Sequence, residues 1–167
     1  MKKGFSLVEI LVVITAFSIL AILTTQALSL SLRGTRKSGS VTLVREELNY
    51  ATAVMERLLH NALPGSVTCP IPPDPYAGLK VSYTDSNNTP TDFRCEDVGA
   101  AGYIASGSAR LTSTNIEMLS PCSFTCNSVG VGPTTSVDIK LNAQTKAVSA
   151  FETDSVQVET KVYLQTY

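Results

Sequence analysis

The chain has 167 residues, of which 44% are hydrophobic and only 16% charged, with a formal net charge of −1. That balance excludes a basic surface able to release counterions from nucleic acid, so nucleic acid is not expected as a primary partner. It also excludes intrinsic disorder, which needs low hydrophobicity and high net charge. The length suits one domain, or one domain with an appendage.

Met1-Lys2-Lys3-Gly4 is a short positive leader, and an apolar segment follows it directly. About two-thirds of positions from Phe5 to Leu32 are apolar, and Glu9 is the only charged residue among them. A secretory signal has a shorter apolar core and a small-residue cleavage site, and neither feature is present. The uncharged stretch from Ile10 to Leu32 is about 23 residues; as a helix it covers about 34 Å, enough to cross a bilayer core. A spanning helix retained in the mature chain is therefore expected over residues 5–32. Lys2 and Lys3 before the span and Arg33, Arg36 and Lys37 after it nearly balance, so charge alone does not orient it. Glu9 stands out, because a lone carboxylate in lipid is costly unless it is paired, neutral or at the interface. It either reaches back to the headgroups or meets a positive charge when subunits pack side by side.

The run Lys-Lys-Gly-Phe-Ser-Leu-Val-Glu-Ile-Leu-Val-Val, residues 2–13, resembles the processing signature of type IV pilins and of the pseudopilins of type II secretion. The resemblance implies that a prepilin peptidase cuts after Gly4 and that Phe5 becomes the N-methylated new terminus. It further implies that Glu9, the fifth mature residue, pairs with the amine of Phe5 on a neighbouring subunit during assembly. Elementary chemistry agrees with both roles. A residue without a side chain lets the backbone enter a narrow protease site. An ammonium and a carboxylate that are both costly in lipid favour the one register that joins them.

No proline occurs between Met1 and Pro64. After the polar stretch 33–40, Val41, Val44, Leu48, Ala51, Met55, Leu58 and Ala62 step by three and four, which predicts one face of an amphipathic helix over 33–63. Pro64-Gly65 is the expected stop. Gly34 and Gly39 each weaken a helix by about 1 kcal/mol relative to alanine, leaving a continuous, flexing helix and a broken one both open. His60, the only histidine, reads as a solvated residue near a helix end.

Residues 64–167 read as a β-rich globular head. Cys69-Pro-Ile-Pro-Pro-Asp-Pro is a rigid connector, and Lys80–Thr84 a strand followed by the turn Asp85–Pro90. Further strands are expected at Tyr103-Ile104, Arg110–Thr112, Ile116–Ser120, Ser136–Leu141 and Val156–Leu164. Gly99, Gly102 and Gly107 read as a flexible loop. The alternating strands are apolar on one side, and the stripe from Val41 to Ala62 is the natural cover. The expected fold class is α+β, with a long N-terminal α-helix packed on an antiparallel β-sheet head, as in pilins.

All four cysteines, Cys69, Cys95, Cys122 and Cys126, lie in this head and fit two disulfides in an oxidising compartment. That places the head outside the cytosol. Three pairings exist, and Cys69 with Cys95 and Cys122 with Cys126 is the expected one; the second pair requires residues 123–125 to bulge. Zinc binding by a loose C-x3-C pair and free thiols are the rival readings. Asp74, Asp85, Asp92 and Asp97 are loop acids without a calcium-loop pattern. Asn87-Asn88-Thr89 matches a short glycosylation triplet, followed by Pro90. No nucleophile elbow, phosphate-binding glycine loop or zinc-protease motif occurs, so no catalytic, cofactor-binding or metal residue is assigned and an enzyme is not expected.

The stretches Glu47–Arg57, Gly107–Ser113 and Val162–Tyr167 resemble W-type minor pilins and J-type minor pseudopilins. Major pilins usually carry a proline in the outer part of the membrane helix, which is absent here. The expected function is a minor structural subunit of a type IV pilus or pseudopilus; a major pilin and a single-span membrane-anchored binding or adhesion protein are the alternatives. Expected partners are prepilin peptidase, other pilin or pseudopilin subunits, the inner-membrane assembly machinery and membrane lipid before assembly. The expected location is the cytoplasmic membrane, single-pass, and then the pilus or a periplasmic or extracellular pseudopilus.

Overall fold

A computed structural model describes residues 6–99, 101–128, 132–146 and 155–165. The chain divides into two compact units, Met1–Ser38 and Gly39–Tyr167. Among the described residues there is one helix, α1 (Leu7–His60), followed by β1 (Lys80–Thr84), β2 (Pro90–Glu96), β3 (Tyr103–Ser106), β4 (Ala109–Arg110), β5 (Ile116–Ser128), β6 (Thr134–Thr145) and β7 (Ser155–Tyr163).

The helix assignment Leu7–His60 includes both Gly34 and Gly39. Nothing lies within contact distance of a side chain at either position, so neither glycine is required by packing. The helix ends at His60, and the Arg57 guanidinium in its last turn is a cationic partner for the negative end of its dipole. A tighter last turn follows, in which the Ala62 amide bonds the Leu59 carbonyl, and Pro64 lies just beyond.

In the second unit the buried helical residues are Val44, Leu48, Ala51, Thr52, Met55 and Leu59. The expected stripe shifts at its end, with Leu59 fully buried and Leu58 only partly so. The buried positions Val44, Leu48, Ala51, Met55, Leu59 and Ala62 step by four, three, four, four and three, which keeps to the helical period of about 3.6 residues where a strict alternation of three and four would fall slightly short of it. Thr52 is tolerated because its hydroxyl donates to the Leu48 carbonyl at 2.8 Å.

Among the described residues the head contains two antiparallel sheets, where the sequence suggests one. The first has the order β1-β2-β3-β4 and the second β5-β6-β7. They meet at a bridge between Gly102 and Met118 and at a hydrogen bond from the Phe124 amide to the Gly78 carbonyl, 2.8 Å. Their inward residues, including Val81, Phe93, Ile104, Met118, Phe124, Ile139 and Leu141, join the helical stripe in one core. Ser113 donates its amide to Glu47 at 3.1 Å and Thr160 its hydroxyl to Glu56 at 2.8 Å, tying this helical segment to the β4–β5 connection and to β7.

No strand is expected from sequence over β2, where Pro90 closes a turn and Asp92 reads as a loop acid, yet it pairs with both β1 and β3. Asp92 is thus a strand residue on the outward face, 2.8 Å from the Arg94 guanidinium, and Glu96 flanks that arginine on its other side. β4 is shorter than expected, covering Ala109–Arg110 only.

The glycine-rich stretch is ordered where it meets β5, because the Met118 amide donates to the Gly102 carbonyl at 2.8 Å and Gly99 donates to the Met118 carbonyl at 3.0 Å. A Cβ at Gly102 would lie 2.6 Å from the Met118 carbonyl oxygen and 3.1 Å from that of Asp97. Neither oxygen can swing aside. Gly102→Ala is therefore expected to destabilise the head by about 1–3 kcal/mol, read as a lower denaturant midpoint with an unchanged slope.

Tyr83 is 3% exposed and stacks on Phe93 with ring centroids 5.3 Å apart. Burial first, and the nearby Asp85 carboxylate second, push its phenol above the ordinary value. The folded state thus disfavours tyrosinate, so this contribution is complete below about pH 10 and is lost as pH rises from there towards the folded value. Urea midpoints at about pH 8 and about pH 10.5 should diverge more for the native chain than for Tyr83→Phe. Equal divergence in the two would remove Tyr83 as a cause.

Candidate functional site

The first unit contributes one feature, the described apolar helix from Leu7 onward. An 18-residue window of α1 reaches a mean hydropathy of 2.6 with none of it buried in the protein. Leu7 is 79% exposed and Phe17 72%, so among the described residues these side chains find no apolar cover. Exposed leucines, isoleucines and valines over such a length need lipid or other helices around them.

Polar residues within the segment are handled locally. Thr15 donates its hydroxyl to the Val12 carbonyl at 2.9 Å, Ser18 to Ile14 at 2.8 Å, Thr25 to Ala21 at 2.8 Å, and Thr24 to both Leu20 and Ala21 at 3.0 Å. These hydroxyls therefore enter an apolar medium already bonded, which removes most of the cost of burying them. A plain count of apolar residues treats these positions as interruptions. Their value lay in their three- and four-residue distance from a carbonyl, a signal a composition count does not use.

Glu9 cannot be satisfied in the same way. It lies in the first turn of α1, where the exposed amides of the helix N-terminus favour an anion. The Ile10 amide already bonds the Ser6 carbonyl at 3.2 Å, so regular helical bonding has begun at this level. The segment thus presents a continuous apolar surface with one carboxylate near its start. Gly4 and Phe5, the expected cleavage site and new terminus, lie outside the described residues.

The four cysteines form two disulfides, but with the partners exchanged relative to expectation. Cys69 joins Cys126 with Cα atoms 5.8 Å apart, and Cys95 joins Cys122 at 6.2 Å. The reason is strand geometry. Ser123, Phe124 and Thr125 stay in register with Lys140, Ile139 and Asp138 on β6, so no bulge brings Cys122 towards Cys126. Residues four apart on a straight strand are about 13 Å apart, beyond disulfide reach. Cys122 and Cys126 instead lie on one face of β5 and each takes a partner from an earlier segment. With all four thiols bonded, the zinc and free-thiol readings both fall.

Other residues singled out from sequence do not converge. His60 is exposed at the helix end, its Nδ1 3.4 Å from the Tyr163 carbonyl and its Nε2 3.1 Å from the Gln165 amide. Asp74 and Asp85 build turns by accepting backbone amides two residues on. Among the described residues no group of three His, Cys, Asp or Glu side chains is placed to hold a metal ion. The outer face of the second sheet carries a compensated ladder of Lys140 with Glu159 at 3.2 Å and Lys161 with Asp138 at 3.3 Å. The hydrogen bond from Asn127, with help from Lys161, holds the Asp138 carboxyl below its usual range. Such a ladder is solvated and contributes little to stability.

Residues 1–25 match the family model described as the prokaryotic N-terminal methylation motif. That match supports a type IV pilin or pseudopilin, and it implies processing by prepilin peptidase and assembly with other pilin subunits. The architecture agrees: a long N-terminal apolar helix and antiparallel sheets make an α+β, pilin-like chain. No curated protein and no solved structure matches the chain.

Proposed function

We propose that this chain is a minor structural subunit of a type IV pilus or related pseudopilus, cut after Gly4, N-methylated on Phe5 and assembled through its N-terminal helix. The observation that carries the reading is the methylation motif on a helix whose apolar surface is left bare by its own chain. In the proposed cycle the helix first rests in the cytoplasmic membrane, with the disulfide-bonded head on the oxidising side. The inner-membrane assembly machinery then transfers it from lipid to a helical filament core, where neighbouring helices replace the acyl chains. Glu9 accepts the Phe5 amine of an adjacent subunit, and that pair sets the register. The chain acts as a building element without a catalytic centre.

The minor-subunit reading rests on the patterns at 47–57, 107–113 and 162–167 and on the lack of proline in the membrane helix. The test is the intact mass of the protein purified from its own cells. The expected mass lacks Met1 to Gly4 and gains one methyl group. A full-length, unmethylated mass would overturn the assignment and leave a plain membrane-anchored head.

A further inference from the structure

We propose that Asn87 is an acceptor for N-linked glycosylation, the donor being an oligosaccharide carried on a lipid pyrophosphate. Asn87-Asn88-Thr89 is the sole Asn-x-Ser/Thr triplet in the sequence. By itself such a triplet says little; its setting says more.

The triplet occupies the tip of the hairpin between β1 and β2, where residues 86–90 are all exposed. The tip is held by backbone bonds alone on one side: Asp85 donates its amide to the Thr89 carbonyl and Asn88 to the Asp85 carbonyl, both at 3.0 Å. On the other side one oxygen of Asp85, Oδ1, accepts the amides of Asn87 at 2.9 Å and Thr89 at 2.8 Å. Asn88 takes the left-handed conformation, φ 61°, which an asparagine tolerates. Among the described residues no hydrogen bond engages the Asn87 carboxamide or the Thr89 hydroxyl. Those are the two groups a transferase must handle, the first as nucleophile and the second as recognition element. Pro90 begins β2 opposite Thr84, so it closes the hairpin outside the triplet.

Asp85 adds a second feature. It stands two residues before the acceptor and offers a carboxylate that a basic side chain on a prokaryotic transferase can grip by a charge-assisted bond. In the reaction the Asn87 carboxamide nitrogen bonds to the anomeric carbon of the sugar. The bond from that carbon to the pyrophosphate oxygen breaks, and the lipid pyrophosphate leaves with the electron pair. One amide proton passes to a base on the transferase. The glycan would then project from the hairpin tip without touching the core below Tyr83 and Phe93. Nothing in this inference depends on filament assembly, so the two can fail separately.

The test incubates the full chain in detergent with a prokaryotic oligosaccharyltransferase and a polyprenyl-pyrophosphate oligosaccharide, beside an acceptor peptide as positive control. The expected product carries a single added glycan by intact mass. It is lost in Asn87→Gln and Thr89→Ala but retained in Asn88→Gln and Thr89→Ser. Asp85→Asn keeps the turn-building oxygen and removes the charge; it should slow transfer about tenfold, as for one lost charge-assisted contact. An unmodified chain beside a glycosylated control peptide overturns the inference. So does a glycan that persists in Asn87→Gln.

Discussion

Glu9→Ala is expected to be cut and methylated normally but to fall out of filaments. In the proposed assembly, each incoming helix leaves lipid headgroups and enters a core where the Phe5 ammonium has one available counter-charge. Removing that carboxylate leaves the ammonium buried and unpaired, and breaking a buried ion pair from one side costs about 3–5 kcal/mol. Per docking step that is about 10²–10³-fold or more. Because a filament is built by repeated docking, the variant should be scarcely detectable in sheared filament fractions while remaining at normal level in the membrane. Glu9→Asp keeps the charge on a shorter arm and should recover part of the incorporation. Glu9→Gln keeps the size without the charge and should recover little. Efficient incorporation of the alanine variant would sink the docking role, whatever its processing.

The second large effect concerns the disulfides. Non-reducing peptide maps should link Cys69 to Cys126 and Cys95 to Cys122, with no peptide joining Cys122 to Cys126. The Cys69–Cys126 bond spans a sequence separation of 57 and the Cys95–Cys122 bond one of 27. Loop-closure entropy puts their contributions at about 4 and about 3.5 kcal/mol respectively. Domains of this kind are stable by only about 5–15 kcal/mol, so losing both should abolish cooperative unfolding of the head near 37 °C. Paired replacements, Cys69→Ala with Cys126→Ala and Cys95→Ala with Cys122→Ala, should each lower the urea midpoint, the longer loop more. A change below about 1 kcal/mol in either would mean that the reduced head keeps its contacts without the staple.

Linear features were readable in advance. The positive leader, the glycine, the carboxylate and the uncharged run lie in order along residues 1–32, so no folding is needed to see them. β1, β6 and β7 were visible because their apolar residues alternate over several positions, as in Val137, Ile139, Leu141 and Ala143. β2 was hidden for a specific reason. Only Phe93 and Cys95 point inward, while Asp92, Arg94 and Glu96 form a charged outer row that imitates a loop. Charges on a strand are acceptable when they neutralise one another across alternate positions, but sequence alone does not show that their faces coincide. The disulfide partners were out of reach for a different reason. They depend on residues 123–127 of β5 staying in register with β6 and on the connection between two sheets, both properties of the assembled head. The roles proposed for Gly4, Phe5 and Glu9 rest on the motif and on assembly chemistry.

The two disulfides are nested, with the Cys95–Cys122 loop lying inside the Cys69–Cys126 loop. For a chain pulled along its length, this nesting acts as a mechanical fuse set at a fixed extension. Tension passing along the backbone crosses from Cys69 to Cys126 through sulfur and bypasses β1 to β4 altogether. The 57-residue separation then withholds roughly 200 Å of contour length that a reduced chain would surrender. Under load an oxidised head gives up only its flanking segments, while the first sheet carries no tension. The redox state of two bonds, more than the depth of the core, would therefore decide how far one subunit can stretch.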